Sequence, residues 1–301
     1  MKTFEELGVC PEILKAITEL GYEHPMPVQE EVIPLLLNEK TDIVALAQTG
    51  TGKTAAFGLP VIQKTDLSVN QPQTLILSPT RELCLQIAGD LNDYSAHIDG
   101  LKILPVYGGS SIESQIRTLK KGVHIIVATP GRLIDLINRG MVQLDRVHTV
   151  IMDEADEMLN MGFIDDVEAI LAESNDYRRI LLFSATMPAR IVELSKRYMK
   201  DVEVLRVPSQ EMTTDLTDQI YFEVRDSDKF DALTRIIDVE PEFYGIVFCR
   251  TKVAVDELVT RLTQRGYAAE GLHGDVSQAQ REKILKKFKN KQVTILAATD
   301  V

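Results

Sequence analysis

A glycine-rich loop near the start of the chain has the residue types needed to hold a row of phosphates. Residues 47–54 read Ala-Gln-Thr-Gly-Thr-Gly-Lys-Thr, which fits the spacing G-x-x-x-x-G-K-[ST] with alanine in the first glycine position. Glycines let backbone N–H groups turn toward an anion, and the lysine can reach the outer phosphates. We therefore predict a nucleoside triphosphate site, with Lys53 catalytic and phosphate contacts from Gln48, Thr49, Gly50, Thr51, Gly52, Lys53 and Thr54.

A second candidate is the acidic run Asp153-Glu154-Ala155-Asp156, which closes the apolar segment 147–152. A carboxylate at the carboxyl end of a parallel strand lies in the crevice where ligands bind. We expect Asp153 and the Thr54 hydroxyl to bind Mg²⁺, partly through water. Glu154 would orient or deprotonate the attacking water, which makes both carboxylates catalytic. The alternatives are an acidic surface loop here and a plain strand-to-helix turn at Lys53.

The elements that must position these residues follow from a regular alternation of short apolar runs and helix-length segments. Runs such as 74–78 and 123–128 are apolar almost throughout, which fits strands buried on both faces. Strand–helix alternation predicts an α/β fold with a doubly wound parallel sheet. We place this first domain at 1–207.

Residues 208–218 interrupt the rhythm because they are polar and lack helical periodicity. We interpret them as a linker. The alternation restarts with a strand expected at 219–224, and the remaining length accommodates only an incomplete second α/β domain, 219–301.

Composition limits the partners. The net charge is −12, so broad electrostatic binding of nucleic acid is disfavoured and any such site must be a local patch. Three widely spaced cysteines, Cys10, Cys84 and Cys249, argue against a disulfide framework and suit a cytoplasmic protein. No apolar run reaches the length of a membrane span, so we expect none.

The run Asp-Glu-Ala-Asp spells the motif that names the DEAD-box RNA helicases of superfamily 2. The chain resembles that family over essentially its whole length, because further motifs stand in the family's order. These are Gly21–Gln29, Pro79–Leu83, Gly108–Gly109, Thr129–Arg132, Ser184–Thr186, Ile246–Thr251, His273–Asp275 and Ala298–Val301. The resemblance implies RecA-like domains, ATP and Mg²⁺ as cofactors, and RNA as partner.

Base recognition is implied for two residues. Gln29 would pair its carboxamide with adenine, which selects ATP, and Phe4 would stack on or near the base. The alternatives are a surface glutamine before a helix and, for Phe4, an anchor for the helix at 11–20. Met26 departs from the family, which usually has threonine there.

RNA contact is implied for residues at strand ends, which would face the sugar–phosphate backbone and 2′-OH groups without sequence preference. An ion pair with Glu82 or Asp90 is the alternative for Arg81, and a helix N-cap for Thr129. The implied contacts are Pro79, Arg81, Gly108, Gly109, Thr129, Pro130, Gly131, Arg132, Arg250, Gln278, Arg281 and Thr299.

Three residues resemble the family's coupling element. The hydroxyls of Ser184 and Thr186 could hydrogen-bond Asp156 and link the phosphate site to strand separation. Alternatively, they cap the helix that begins near Pro188.

The implied function is an ATP-dependent RNA helicase that couples ATP binding and hydrolysis to RNA binding and local duplex unwinding. The alternative is an ATP-gated RNA clamp whose partners do the remodelling. The 301 residues contain no His-Arg-x-Gly-Arg-x-x-Arg segment, the last family motif, which supplies an arginine finger. We therefore expect a truncated chain that binds ATP weakly and hydrolyses it poorly.

Overall fold

The computed structural model describes residues 2–38, 41–207 and 218–299. Contacts divide the chain into two compact units, Met1–Thr213 and Thr214–Val301. The predicted linker 208–218 lies outside the described residues except for Asp218. No helix of the described ranges is long and apolar enough to cross a membrane.

The first unit is built on a seven-stranded parallel sheet in the order β3-β4-β2-β5-β6-β1-β7, so the predicted α/β class with a parallel sheet is confirmed. On β1, Ile43 and Ala45 face one apolar core while Val44 faces a second core on the opposite side. This alternation is what a sheet covered on both faces requires. The strands are β1 (Ile43–Leu46), β2 (Thr74–Leu77), β3 (Ile103–Val106), β4 (Ile125–Ala128), β5 (Thr149–Met152), β6 (Arg179–Ser184) and β7 (Glu203–Arg206).

Helices connect the strands and cover both faces of the sheet. They are α1 (Pro11–Glu19), α2 (Pro27–Asn38), α3 (Lys53–Lys64), α4 (Arg81–Tyr94), α5 (Ile112–Leu119), α6 (Pro130–Asn138), α7 (Ala155–Asn160), α8 (Ile164–Glu173) and α9 (Ala189–Tyr198). Because every strand pair is parallel, all carboxyl ends lie along one edge of the sheet. The loops that follow β1, β5 and β6 are neighbours there, as are those that follow β3, β4 and β2.

The second unit has a three-stranded parallel sheet in the order β8-β10-β9. Its elements are a 3₁₀ turn (Asp226–Asp228), α10 (Lys229–Val239), β8 (Gly245–Phe248), α11 (Lys252–Gln264), β9 (Ala269–Leu272), α12 (Gln278–Lys289) and β10 (Ile295–Ala298).

The strand expected at 219–224 was a wrong prediction, because these residues form no regular element. Ile220, Tyr221 and Phe222 are all exposed, at 69%, 84% and 61%, although neighbours on a half-buried strand would alternate. An apolar run forms a strand only where a neighbouring strand and a core face receive it.

Candidate functional site

The glycine loop joins β1 to α3 and shapes the floor of an open cavity. Gly50 and Gly52 have φ values of +79° and +84°, which only glycine adopts without strain. Lys53 begins α3, so the positive end of that helix points at the loop. The cavity has a volume of about 830 Å³, and Thr49, Gly50, Gly52, Lys53 and Thr54 line it.

Two predicted phosphate contacts, Gln48 and Thr51, do not line the cavity. The Thr51 hydroxyl donates to the Gln48 carbonyl over 2.8 Å. The Thr51 side chain therefore ties the loop to its own backbone.

The Lys53 ammonium is the least satisfied polar group of this site. The side chain is 6% exposed, its Nζ lies 3.7 Å from Asp153 Oδ1, and it makes no hydrogen bond to any described residue. A buried cation without hydrogen bonds costs free energy. The arrangement suits an anion in the cavity, such as the outer phosphates of a nucleotide.

Asp153 and Glu154 follow β5 directly and reach the same cavity. Burial raises the pKa of the Asp153 carboxyl above its ordinary value, although the Lys53 charge opposes the shift. Burial, and then the charge of Asp153, also raise the pKa of Glu154. Glu154 has a left-handed backbone, φ +52°, which costs a non-glycine residue about 1 kcal/mol. Such strain, together with a raised carboxylate pKa, is typical of functional sites.

The donor set fits a magnesium ion. Asp153 and Thr54 offer a carboxylate and a hydroxyl, the hard oxygen donors that Mg²⁺ prefers, and both line the cavity beside Lys53. Within the described ranges no group of three or more His, Cys, Asp or Glu side chains could hold a metal. Mg²⁺ needs only one or two protein carboxylates when phosphates and water complete its shell.

Gln29 connects α2 to the glycine loop. Its Nε2 donates to the Gly52 carbonyl over 3.0 Å, and its Oε1 accepts from the Met26 N–H over 2.9 Å. The side chain is 1% exposed yet lines the cavity, so it is not the surface glutamine of the alternative interpretation. A carboxamide has four hydrogen-bonding sites, and two are used by these bonds.

Phe4 does not line the cavity. It is 4% exposed within the first core, and its ring meets Tyr22 edge-on with centroids 6.2 Å apart. Tyr22 and Tyr94 are aromatic residues that do line the cavity. The structure therefore places Phe4 behind Tyr22, as a core residue. Full burial of its ring removes more apolar area from water than a place on the cavity wall would.

The coupling residues meet between β6 and the start of α7. The Thr186 hydroxyl and N–H both donate to Asp156 Oδ2, over 2.8 and 2.9 Å, and the Ser184 hydroxyl accepts from the Asp156 N–H. Burial alone would raise the pKa of Asp156, but the bonds from Thr186 and Ser184 hold it below its ordinary value. Neither hydroxyl caps α9, whose N-cap is Pro188.

The residues predicted to contact RNA in the first unit lie at the ends of β2, β3 and β4. Arg81 is exposed at the start of α4, and a Cβ built on Gly108 would lie 3.4 Å from its Nη2. Gly131 is exposed, and Gly109 is exposed with φ +85°. Arg132 donates to the Ser110 carbonyl over 3.3 Å. This edge therefore presents arginines beside an open glycine turn.

Three of the predicted RNA contacts in the first unit are buried. The buried residues are Pro79, Thr129 and Pro130. They can shape the turns after β2 and β4 but expose little surface for contact with RNA. Thr129 occupies the N-cap position of α6, yet its side chain makes no capping bond.

The predictions for the second unit need a correction. Gln278 and Arg281 are 8% and 7% exposed, because they face the core side of α12 rather than solvent. Arg281 donates to the His273 carbonyl over 3.3 Å and so supports the loop after β9. Arg250 is exposed after β8, and Thr299, after β10, is half-buried.

Comparison with known proteins decides the family. The family model described as DEAD/DEAH box helicase matches residues 26–194, more than half of the chain, and the helicase conserved C-terminal domain matches residues 228–301. The chain belongs to the DEAD/DEAH box helicase family. The predicted resemblance is thereby confirmed.

Two curated relatives of the chain are bacterial. It is 52% identical over 301 residues to the DEAD-box ATP-dependent RNA helicase CshA of Geobacillus kaustophilus, covering 100% of this chain and 64% of the relative. It is 50% identical over 303 residues to the CshA helicase of Listeria monocytogenes, covering 100% and 58%. The chain thus spans about three fifths of the length of the curated relatives it matches.

Solved structures agree with the fold. A DEAD box protein from Methanococcus jannaschii is 46% identical with a TM-score of 0.66, covering 99% of this chain and 80% of that one. S. cerevisiae Dbp5 bound to RNA and ADP BeF3 is 29% identical with a TM-score of 0.88, covering 99% and 76%. The RecA-like prediction is confirmed.

One buried residue beside the predicted RNA contacts of the first unit was not indicated by the sequence. Gln115 on α5 is 6% exposed, donates to the Tyr107 carbonyl and the Ser110 hydroxyl, and accepts from Arg132. Its bonds to Tyr107 and Ser110 therefore hold the two ends of the Gly108–Gly109 turn. Its only sequence signal is a polar residue on the buried side of an amphipathic helix, which does not distinguish it from a surface glutamine.

Proposed function

We propose that the chain carries the ATP-binding and hydrolysing part of an ATP-dependent RNA helicase, which couples hydrolysis to RNA binding and local duplex unwinding. The observation that carries the proposal is the buried Lys53 ammonium without a hydrogen-bonding partner in the described protein, 3.7 Å from Asp153. Family membership supports the same activity, since the named relatives are ATP-dependent RNA helicases.

The roles of the residues follow from their positions. The backbone N–H groups of the Gly50–Gly52 turn and the Lys53 ammonium bind and orient the phosphates. Glu154, whose pKa is raised by burial, accepts a proton from the water that attacks the γ-phosphate. Mg²⁺, held by Thr54 and Asp153, would neutralise charge on the phosphate oxygens. Gln29 uses one donor and one acceptor site of its carboxamide for Gly52 and Met26. The remaining donor and acceptor sites orient the adenine.

Coupling to RNA is proposed to run along the edge of the sheet. β5 leads into Asp153 and Asp156 and is hydrogen-bonded to β6 on one side and β2 on the other. β6 ends at the coupling residue Ser184, whereas β2 leads into Arg81 at the predicted RNA edge. If the loop after β5 shifts on hydrolysis, the movement would therefore be transmitted to Ser184 at the end of β6 and to Arg81 after β2.

A binding assay with matched lysine variants tests the nucleotide site. We expect Lys53→Ala to weaken ATP binding by about 10- to 100-fold, because a charge-assisted hydrogen bond to phosphate is lost. Lys283→Ala, on the exposed side of α12, is the control and should bind ATP normally. Equal ATP affinity for the unmodified chain and Lys53→Ala would contradict the proposed site.

RNA coupling needs two further measurements on the unmodified chain. We expect single-stranded RNA to increase ATP hydrolysis, and ATP to promote release of a short RNA duplex. RNA-stimulated hydrolysis without duplex release would favour the alternative, an ATP-gated clamp whose partners remodel RNA.

The free thiols of Cys10, Cys84 and Cys249 support a cytoplasmic location as part of the proposal.

A further inference from the structure

Tyr22 forms the aromatic wall of the nucleotide cavity. It is half-buried and follows Gly21, whose φ of +85° turns the chain at the end of α1. Its N–H donates to the Ile17 carbonyl over 2.9 Å. The backbone is therefore fixed, and the direction of the ring depends on its side-chain neighbours.

Two buried rings hold Tyr22 from behind. Phe4 meets it edge-on, and Tyr94 meets it at 85° with centroids 5.9 Å apart. The hydroxyls of Tyr22 and Tyr94 are 2.9 Å apart and share a hydrogen bond. Tyr94 ends α4 and is 4% exposed, so its position is set by the core. Burial first, and then the bond to Tyr22, raise the pKa of the Tyr94 phenol, which keeps it protonated as a neutral partner.

The same end of the cavity holds the side chains that would meet a base. Gln29 and Met26 line it next to Gly52 of the glycine loop, and Tyr94 lines it beside Tyr22. Phe4 does not reach it. An aromatic ring stacks on a base only when its plane is held at a suitable angle.

We propose that Tyr94 is a positioning residue for the nucleotide base, because it fixes the ring of Tyr22 against which the base packs. Phe4 acts in the same way through its edge-on contact with Tyr22, rather than by contacting the base itself. The inference rests on the proposed function, since it places the base of ATP at this end of the cavity. It identifies a residue on α4, outside every motif of the sequence analysis, as part of nucleotide recognition.

The test compares ATP with inorganic tripolyphosphate, which has phosphates but no base. Tyr94→Phe keeps the ring and removes the shared hydroxyl bond. We expect it to weaken ATP binding by about two- to fivefold, as loss of one hydrogen bond predicts, and to leave tripolyphosphate binding unchanged. Tyr94→Ala, which also removes the ring, should weaken ATP binding by about tenfold or more. A merely structural role would lower both affinities together.

Two controls make the outcome specific. Tyr22→Phe removes the same hydrogen bond, so the Tyr22→Phe/Tyr94→Phe double variant should lose no more ATP affinity than one single variant. Tyr244→Phe removes a comparable hydroxyl bond, to the Phe288 carbonyl over 2.9 Å, and should bind ATP normally.

Two results would overturn the inference alone: ATP binding as tight in both Tyr94 variants as in the unmodified chain, or parallel losses for ATP and tripolyphosphate. Failure of the unmodified chain to bind ATP would overturn the proposed function, and this inference with it.

Discussion

Gly50 and Gly52 have nearly the same left-handed backbone but different surroundings. A Cβ on Gly52 would lie 2.5 Å from Gln29 Nε2 and 3.0 Å from Met26 Sδ, whereas a Cβ on Gly50 would meet nothing within 4 Å. Alanine at either position adds about 1–2 kcal/mol of backbone strain. We predict that Gly52→Ala costs about 1 kcal/mol more of the free energy of unfolding than Gly50→Ala, because it also displaces Gln29.

Urea unfolding of the two variants measures that difference, and ATP titration should show the larger loss for Gly52→Ala. If both variants are equally stable and bind ATP equally well, the contact between Gln29 and the loop contributes nothing.

His124 gives the chain a predictable response to acid. It is 2% exposed, its Nδ1 accepts from the Lys102 N–H over 3.0 Å, and its Nε2 has no hydrogen-bond partner among the described residues. Burial, and then the charge of Lys102, lower its pKa. As the pH falls, His124 is therefore protonated at a higher pH in the unfolded chain than in the folded chain. The contribution of neutral His124 to the free energy of unfolding is fully present above about pH 6.5 and decreases as the pH drops toward the folded pKa.

His124→Gln should remove this dependence. We predict that its free energy of unfolding falls less steeply with acid than that of the unmodified chain when urea curves are compared above and below about pH 6.5. Burial also lowers the pKa of His148, but that residue titrates in both proteins and cancels in the comparison. Parallel curves would exclude His124 as the source.

At the scale of elements, α5 holds the glycine turn that follows β3. Gln115 makes its three bonds to the Tyr107 carbonyl, the Ser110 hydroxyl and Arg132 over 3.0, 2.6 and 3.2 Å. We predict that Gln115→Ala weakens binding of single-stranded RNA by about 10-fold, because the turn and Arg132 must be ordered on binding.

Fluorescence polarisation of a labelled uridine strand measures this change. Gln143→Ala is the matched control, since Gln143 is exposed and outside this edge. ATP affinity should be unchanged in both variants. A Gln115→Ala protein with normal RNA affinity would show that the turn needs no brace.

Sequence predictions were accurate where a residue's placement depends on its neighbours along the chain, and inaccurate where it depends on distant packing partners. The glycine loop and the Asp153–Asp156 run are contiguous, and each follows a buried strand, so their placement at one sheet edge could be predicted from the fold class. Burial of Phe4 and of Arg281 depends on distant packing partners, which no local pattern specifies. The strand expected at 219–224 was wrong for the same reason, because a strand needs a partner.

At the scale of the molecule, the sheet order separates two kinds of chemistry along one edge. The loops after β1, β5 and β6 carry Lys53, Asp153 and Ser184, and those after β2, β3 and β4 carry Arg81, Gly108 and Arg132. The net charge of −12 would repel RNA elsewhere on the surface. We therefore expect local arginines and glycine turns to supply the RNA contact, next to the predicted phosphate site in the strand order.

The 301 residues contain the predicted phosphate site but no His-Arg-x-Gly-Arg-x-x-Arg segment. An arginine that reaches the transferring phosphate is worth about 10³–10⁵ in rate in related systems. Binding needs only the glycine loop, Lys53 and the metal donors, whereas fast hydrolysis also needs charge stabilisation in the transition state. We predict that this chain binds ATP but turns it over at least about 10³-fold more slowly than the Geobacillus kaustophilus relative assayed in parallel with saturating RNA. Turnover within about tenfold of that relative would show that other residues of this chain stabilise the transition state.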